Sequence, residues 1–272
     1  MRIVVCVKAV PSTTEVKLDP VTHTIVRDGR AAVVNPFDAS ALEVALRLRE
    51  ALVAEGSAAG EGAPDCEVAV LSMGIPDTER LLRDCLARGA DRALLLSDRA
   101  FAGADTLATT YALARGIAHL GGADLVLCGK MAVDGDTAQI GPELAGALDM
   151  ACVTDVREMT EAAADRLQLW RGTDAGMELV EVGYPAVLTV AKEAAQLRMP
   201  SIAGVRASEL AEVEVAGAAG VAADPARIGL SGSPTQVVRS FVPPAQAGGV
   251  DIEGGAAEQA EALVELMKGM GL

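Results

Sequence analysis

Four short runs are apolar almost throughout: Arg2-Ile-Val-Val-Cys-Val-Lys8, Cys66–Leu71, Ala93–Leu96 and Asp124–Cys128. Runs of that length without polar alternation suit strands covered on both faces of a parallel sheet. Helical spacing fills the intervals. Leu42, Ala45, Leu46, Leu52 and Val53 repeat behind Asn35-Pro-Phe-Asp38, with Asp38 placed to cap a helix from Ala39 and Gly56 to end it. Asp77 opens a second helix from about Thr78 to Arg88, closed by Gly89, and a third runs from Thr106 to about Leu120 before Gly121-Gly122. Glu15–Asp19 and Thr24–Asp28 alternate around Pro20-Val-Thr-His23 as an exposed hairpin, and residues 54–65 form a polar, glycine-rich loop. Strands alternating with helices predict a parallel sheet with right-handed crossovers.

The rhythm changes after about residue 150. Cys152–Val156 reads as a fifth strand, Arg166–Arg171 and Met177–Val182 as an antiparallel hairpin, and Ala186–Val190 as a further strand. From Ser201 the chain is rich in Ala and Gly, with a turn-dense Gly229–Thr235, an extended Gln236–Val242 and an amphipathic helix over Ala256–Lys268. A tail with so little core of its own is expected to pack on a partner subunit. The predicted fold is α/β: a doubly wound, mostly parallel sheet over residues 1–200, with a small antiparallel addition and an extended C-terminal arm over 201–272.

The stretch Asp124–Glu143 carries the candidate chemistry. A buried strand ends at Gly129, a polar loop follows with Lys130, Asp134, Gly135, Asp136 and Thr137, and a helical pattern resumes past Gly141 and Pro142. In an open α/β sheet, ligands sit beyond the carboxyl ends of the strands, where helix N–H groups attract anions. Asp134 and Asp136 without a third ligand nearby make a poor magnesium site. Either Asp136 or Thr137 caps the following helix, or the loop meets a ligand: glycines for close phosphate approach, aspartates for ribose hydroxyls, and Gln139 from the first helical turn. Cys6–Lys8, Asn35–Asp38 and Ser72–Gly74 end strands or open helices on the same side. They converge with the loop if the strand order sets these ends side by side; Asn35 and Asp38 otherwise read as an Asx turn and cap.

Composition narrows the partners. The 272 residues carry 23 Lys+Arg against 38 Asp+Glu, a net charge of −15, a field that repels nucleic acid and anionic membrane. Met1–Val10 is too short for a signal peptide or a span, so a cytoplasmic protein without direct membrane insertion is expected. The five cysteines are scattered without a CxxC pair, and His23 and His119 have no evident nucleophile beside them. Neither GxGxxG nor GxxxxGK[ST] occurs.

Cys6-Val-Lys8, Asn35-Pro-Phe-Asp38, Ala41-Leu-Glu43-x-Ala45-Leu-Arg-Leu48, Gly89-Ala-Asp91 and Cys128-Gly-Lys-x-Ala-Val-Asp-Gly-Asp-Thr-Ala-Gln139 resemble the β subunit of electron transfer flavoproteins, and Gly232-Ser-Pro-Thr235 extends the match into the tail. The resemblance implies a fold of the adenine-nucleotide hydrolase type, an arm that wraps an α subunit to give a heterodimer, and electron transport as the role. It implies ligand contacts at Cys6, Asn35, Pro36, Phe37, Asp38 and Met73, and along Gly129, Lys130, Met131, Ala132, Val133, Asp134, Gly135, Asp136, Thr137, Ala138, Gln139 and Ile140. In one branch of that family the pocket holds AMP. Asp98-Arg-Ala-Phe-Ala-Gly-Ala-Asp-Thr-Leu-Ala-Thr109 and the Gly-Asp-Thr form of the loop are similar to the other, nitrogen-fixation-associated and flavin-bifurcating branch, which places a second FAD there and takes electrons from NADH. The implied partners are the α subunit and a dehydrogenase or a quinone- or ferredoxin-linked protein. No catalytic side chain and no metal is implied. A nucleotide-binding regulatory protein of universal-stress type is the alternative from another class. One departure stands out: the family's docking segment is commonly followed by a basic run, whereas Lys192–Pro200 and Val205–Glu214 are neutral to acidic here. Apolar docking through Ala194, Ala195, Leu197 and Met199 is the resulting expectation.

Overall fold

The apolar runs lie side by side in the computed structural model, which describes residues 1–12, 32–59, 65–238, 249 and 251–271. The hairpin expected over Glu15–Asp28 falls outside those residues. One sheet is built from β1 (Arg2–Cys6), β4 (Glu67–Met73), β5 (Arg92–Leu96), β6 (Leu125–Gly129), β7 (Ala151–Ala162), β8 (Arg166–Thr173), β9 (Gly176–Gly183), β10 (Ala186–Val190) and β11 (Glu214–Ala216). The strand order is β11-β5-β4-β1-β6-β10-β7-β8-β9, and β2 (Ala9–Pro11) pairs antiparallel with β3 (Ala32–Val34) in a separate ribbon. Pairing from β11 to β7 is parallel, and β7-β8-β9 is the antiparallel addition.

The strands are apolar throughout because both faces are covered. Ile3, Val5, Val68, Val70 and Leu127 face a core built with Leu42 and Leu46 of α1 (Pro36–Ala59) and Leu82 of α2 (Glu79–Ala87). Val4, Ala69, Leu71 and Val126 face the opposite core, with Leu113 and Ile117 of α3 (Thr106–His119) and Leu144 of α4 (Ile140–Leu148). The chain places β4 and β5 on one side of β1 and then returns to put β6 on the other. The order reverses between β1 and β6, the position where such sheets open a crevice at their carboxyl ends.

Three local expectations change. α1 begins at Pro36, a residue suited to a first helical turn, and passes through Gly56 to Ala59. The helix after Ile75 opens as a 3-10 turn over Pro76–Thr78 without a side-chain cap, so Asp77 does not cap it. The tail past Ser201 has buried contacts of its own: α5 (Ile202–Leu210) packs beside α2, β11 extends the sheet edge, and Val213, Ala216, Val221 and Ile228 are buried. The first compact unit therefore runs from Met1 to Gln236, past the change of composition at residue 201. Val237–Leu272 is a second unit, containing α6 (Ala256–Gly269), whose Leu263, Val264, Leu266 and Met267 are all exposed.

Candidate functional site at the strand-order reversal

The strand ends that the sequence singles out are neighbours. β4, β1 and β6 are consecutive in the sheet, so Met73, Cys6 and Gly129 end adjacent strands. α1 then lays its first turn across the gap. The Asp38 carboxylate accepts from the backbone N–H of Lys8 at 2.8 Å and of Gly129 at 2.9 Å, bridging the ends of β1 and β6. The Asn35 amide donates to the carbonyl of Met131 at 2.8 Å and its oxygen accepts from the N–H of Val133 at 3.2 Å. The Asn35 N–H donates to the Lys8 carbonyl at 2.9 Å. Neither residue plays the local role expected of it, since Asp38 does not cap α1 and the Asn35 side chain reaches the β6–α4 loop.

The loop is tight at its root and open beyond. A Cβ on Gly129 would stand 2.5 Å from Cβ of Phe37 and 2.8 Å from its carbonyl carbon, so only glycine lets α1 approach this closely. Gly141 has the same duty on the next helix: a Cβ there would overlap Thr189 of β10 and come within 3.1 Å of the Cys128 sulfur. Between them, Val133 to Gln139 are exposed, and the N–H groups of Gly135 and Asp136 fold back onto the Ala132 carbonyl. Asp136 and Ala138 take left-handed backbone angles, φ 52° and 53°. For alanine that conformation costs about 1–2 kcal/mol, and such strain collects where a backbone is shaped for a ligand. α4 starts at Ile140 with Gln139 before it and no side-chain cap, so neither Asp136 nor Thr137 caps it and its first N–H groups are left for another acceptor.

Charge is distributed around this loop in pairs. Lys8 Nζ meets Asp134 at 2.5 Å, and Lys130 Nζ meets Asp155 of β7 at 3.2 Å. Lys130 and Arg157 hold Asp155 below the usual carboxylate range against the effect of its burial. Burial pushes Asp38 up to about 7, although the Lys8 and Gly129 N–H groups and the Asn35 side chain pull the other way. Cys6 is buried, and desolvation with Asp38 nearby raises its thiol to about 12, so backbone rather than thiolate is what β1 offers here. Pro36, Phe37, Met73, Met131, Ala132 and Ile140 are half-buried around the crevice.

A group with phosphates fits this arrangement. The loop from Val133 to Gln139 is exposed, the nine-residue α4 behind it has no side-chain cap, and Lys8 stands at the lip, 3.7 Å from where a Gly135 Cβ would be. Among the described residues no cluster of His, Cys, Asp and Glu has the geometry to hold a metal ion. A hollow of about 220 Å³ lined by Met1, Arg2, Asp65, Glu67 and Asp124 lies at the amino ends of the strands, away from the loop. Sequence reasoning missed Asp155 and Thr189, whose hydroxyl accepts from the Asp155 N–H at 3.0 Å. An aspartate inside the apolar run Cys152–Val156 was the available signal.

Known proteins resemble the chain along most of its length. The family model described as electron transfer flavoprotein domain matches residues 22–218. The electron transfer flavoprotein subunit beta of Megasphaera elsdenii is 43% identical over 256 residues, covering 92% of this chain and 90% of the relative. The caffeyl-CoA reductase-Etf complex subunit CarD of Acetobacterium woodii is 43% identical over 254 residues, 93% and 92% of the two chains. Protein FixA of Bradyrhizobium diazoefficiens is 38% identical over 272 residues, 97% and 90%.

Proposed function

The chain belongs to the electron transfer flavoprotein family as a β subunit, with an electron-transfer role, and from that premise we propose that its crevice holds an FAD of its own. The observation that carries this reading is the cradle at the β1/β6 reversal, where Asn35 and Asp38 lash a glycine-rooted loop over an uncapped helix start. The names of two relatives, a subunit of a caffeyl-CoA reductase-Etf complex and a FixA protein, support the electron-transfer role on which the proposal rests. A bound flavin supplies the redox chemistry that no side chain here performs. The chain's own residues bind and orient it. The α4 N–H groups and the backbone from Gly129 to Ile140 would hold its phosphates, Asp136 and Thr137 would take ribose hydroxyls, and Lys8 would offset the anionic charge at the lip.

The complete carrier is a heterodimer with an electron transfer flavoprotein α subunit, which the unit from Val237 onward engages through the apolar face of α6. It passes electrons between NADH or a dehydrogenase and a quinone- or ferredoxin-linked acceptor in the cytoplasm. With two flavins per pair, flavin-based bifurcation is open to it. The deciding measurement is the flavin and AMP content of the purified αβ complex. Two FAD per pair is the expected result, and one FAD with one AMP overturns the second-flavin reading.

Ala194, Ala195 and Leu197 are half-buried against the core and offer a partner less surface than Met199, which is 83% exposed. We place partner contact at Met199 and its neighbours.

A further inference from the structure

The segment after β10 is held to α1 far more firmly than a surface loop requires. Arg198 donates to Glu43 from its backbone N–H at 3.1 Å, from Nε at 2.9 Å and from Nη2 at 3.1 Å. Its Nη1 and Nη2 also donate to Glu50. Its carbonyl accepts from Arg88, itself paired with Asp84. Three residues earlier, the Ala195 N–H donates to Ser40 Oγ at 3.0 Å. Ser40 is 1% and Glu43 3% exposed, so this is an interior attachment. Every edge of the guanidinium is aimed at the protein's own helix, which leaves no fork to grip an incoming carboxylate.

The same helix holds the other end of the electron path. Asn35 and Asp38, in and before its first turn, carry the bonds to the cofactor loop and to the ends of β1 and β6. Asp38 and Glu43 are separated by about 7.5 Å of helix axis. A helix is stiff over that length, so the loop and the segment are fixed relative to one another by one element. The arginine is followed directly by the exposed Met199.

We infer that Arg198 is a positioning residue: clamped between Glu43 and Glu50, it fixes Met199 and the segment around it relative to the cofactor loop, and so sets the geometry in which a redox partner exchanges electrons with the cofactor. The inference rests on the docking role assigned to this segment above. A buried ion pair is poor evidence of stabilisation by itself, but it is well suited to defining one arrangement out of several. Arg198 and Arg47 hold Glu43 below the usual carboxylate range, so the clamp stays charged through neutral pH.

The test uses the flavin-loaded αβ complex and two reactions. One is electron exchange with ferricenium, a small acceptor that needs no docking. The other is exchange with a purified dehydrogenase that the parent complex serves. Arg198→Met is expected to leave flavin content and the ferricenium rate at parent values while the limiting rate with the dehydrogenase falls about 10-fold. Arg198→Lys, which keeps the charge and loses the fork, should fall between the two. Glu50→Gln, on the exposed side of the clamp, should cost about 2–3-fold and decides the matter if Arg198→Met does not assemble. Parent-like dehydrogenase rates in these variants overturn the inference, as does a parallel fall of both reactions. Met199→Ala separates the two levels of argument. If it slows the dehydrogenase while the Arg198 variants do not, positioning is refuted and docking stands. If none of the variants has an effect, the docking assignment falls with it.

Discussion

Removing the Asn35 side chain tests whether the crevice is built by α1 or by the loop itself. Asn35→Ala deletes two bonds to the loop, to the Met131 carbonyl and from the Val133 N–H, and its contact with Asp38, while the backbone bonds from Asn35 N–H to Lys8 and from Ala39 N–H to Asn35 remain possible. The residue is 1% exposed, so water replaces the lost partners poorly at its own position. Met131 and Val133 are half-buried and exposed respectively, so they rehydrate in part. Two bonds at net values near 1 kcal/mol each give about 1–3 kcal/mol. If the loop must hold its present shape to bind nucleotide, that loss appears as a drop in affinity of about 5- to 150-fold. Asn35→Asp should be worse than alanine, because its second oxygen would face the Met131 carbonyl and a further carboxylate would sit beside Asp38. Two assays check this: flavin and AMP content of the αβ complex after dialysis, and hydrogen exchange at the Val133 and Asp136 amides. Full nucleotide retention with unchanged protection of Val133 in Asn35→Ala would refute the claim that Asn35 shapes the site.

Other consequences follow from the same geometry. Gly129→Ala forces a methyl group into Phe37 and Asp38, and should destabilise the fold by about 1–3 kcal/mol in denaturant titrations; a neutral substitution would mean that α1 shifts freely. A Cβ at Gly135 meets only Lys8 Nζ at 3.7 Å, so in Gly135→Val with Thr137→Val unfolding should stay cooperative while the ligand is lost by about 2–4 kcal/mol, and full retention would count against the loop as the binding element. Asp38 has a folded-state pKa raised from 3.8 to about 7, so the folded chain holds a proton that the unfolded chain has released between those values. Its contribution therefore declines as pH rises from 4 to 7, and the stability advantage of the parent over Asp38→Asn should narrow across that window and level off above it; a flat difference would show that the carboxyl stays ionised. Residues beyond Gln236 should be cleaved by protease in the isolated chain and protected when the α subunit is present, and equal cleavage would argue against the arm as the subunit contact.

The parallel sheet was legible because nearly all of its strands are covered on both faces, which leaves a run such as Arg2–Cys6 no room for polar residues. Where that condition lapses, the reading shortened. β7 extends from Ala151 to Ala162, yet only Cys152–Val156 is evident in the sequence, since Asp155 has φ 55° and the pairing with β8 shifts register beyond Val156. The three-residue β11 has too few positions to display any period, and its place beside β5 follows from tertiary pairing alone. Gly56 looked like a helix end because glycine commonly is one, but the helix continues past it.

The crevice was legible in position and not in wiring. Strand ends and a glycine-rooted loop are local features, and the sequence displays them. The bonds that hold them together join Asn35 to Met131 and Lys8 to Asp38, and a local reading gave those side chains to an Asx turn and a helix cap. α1 nevertheless carries a sign of its second attachment. Between Ala41 and Leu48 its periodicity is apolar, and Ser40 and Glu43 fall among positions that prove to be buried. A glutamate is almost never fully buried unless paired, so Glu43 demanded a cation before any coordinates existed. Arg47, one turn along, supplies one at 2.8 Å, and what the sequence withholds is the second. The answer, Arg198, stands 155 positions away in a segment that composition alone assigns to the surface. A polar residue on an apolar helix face is therefore a point where a distant part of the chain can attach, and in this protein the part that arrives is the one proposed to meet the redox partner.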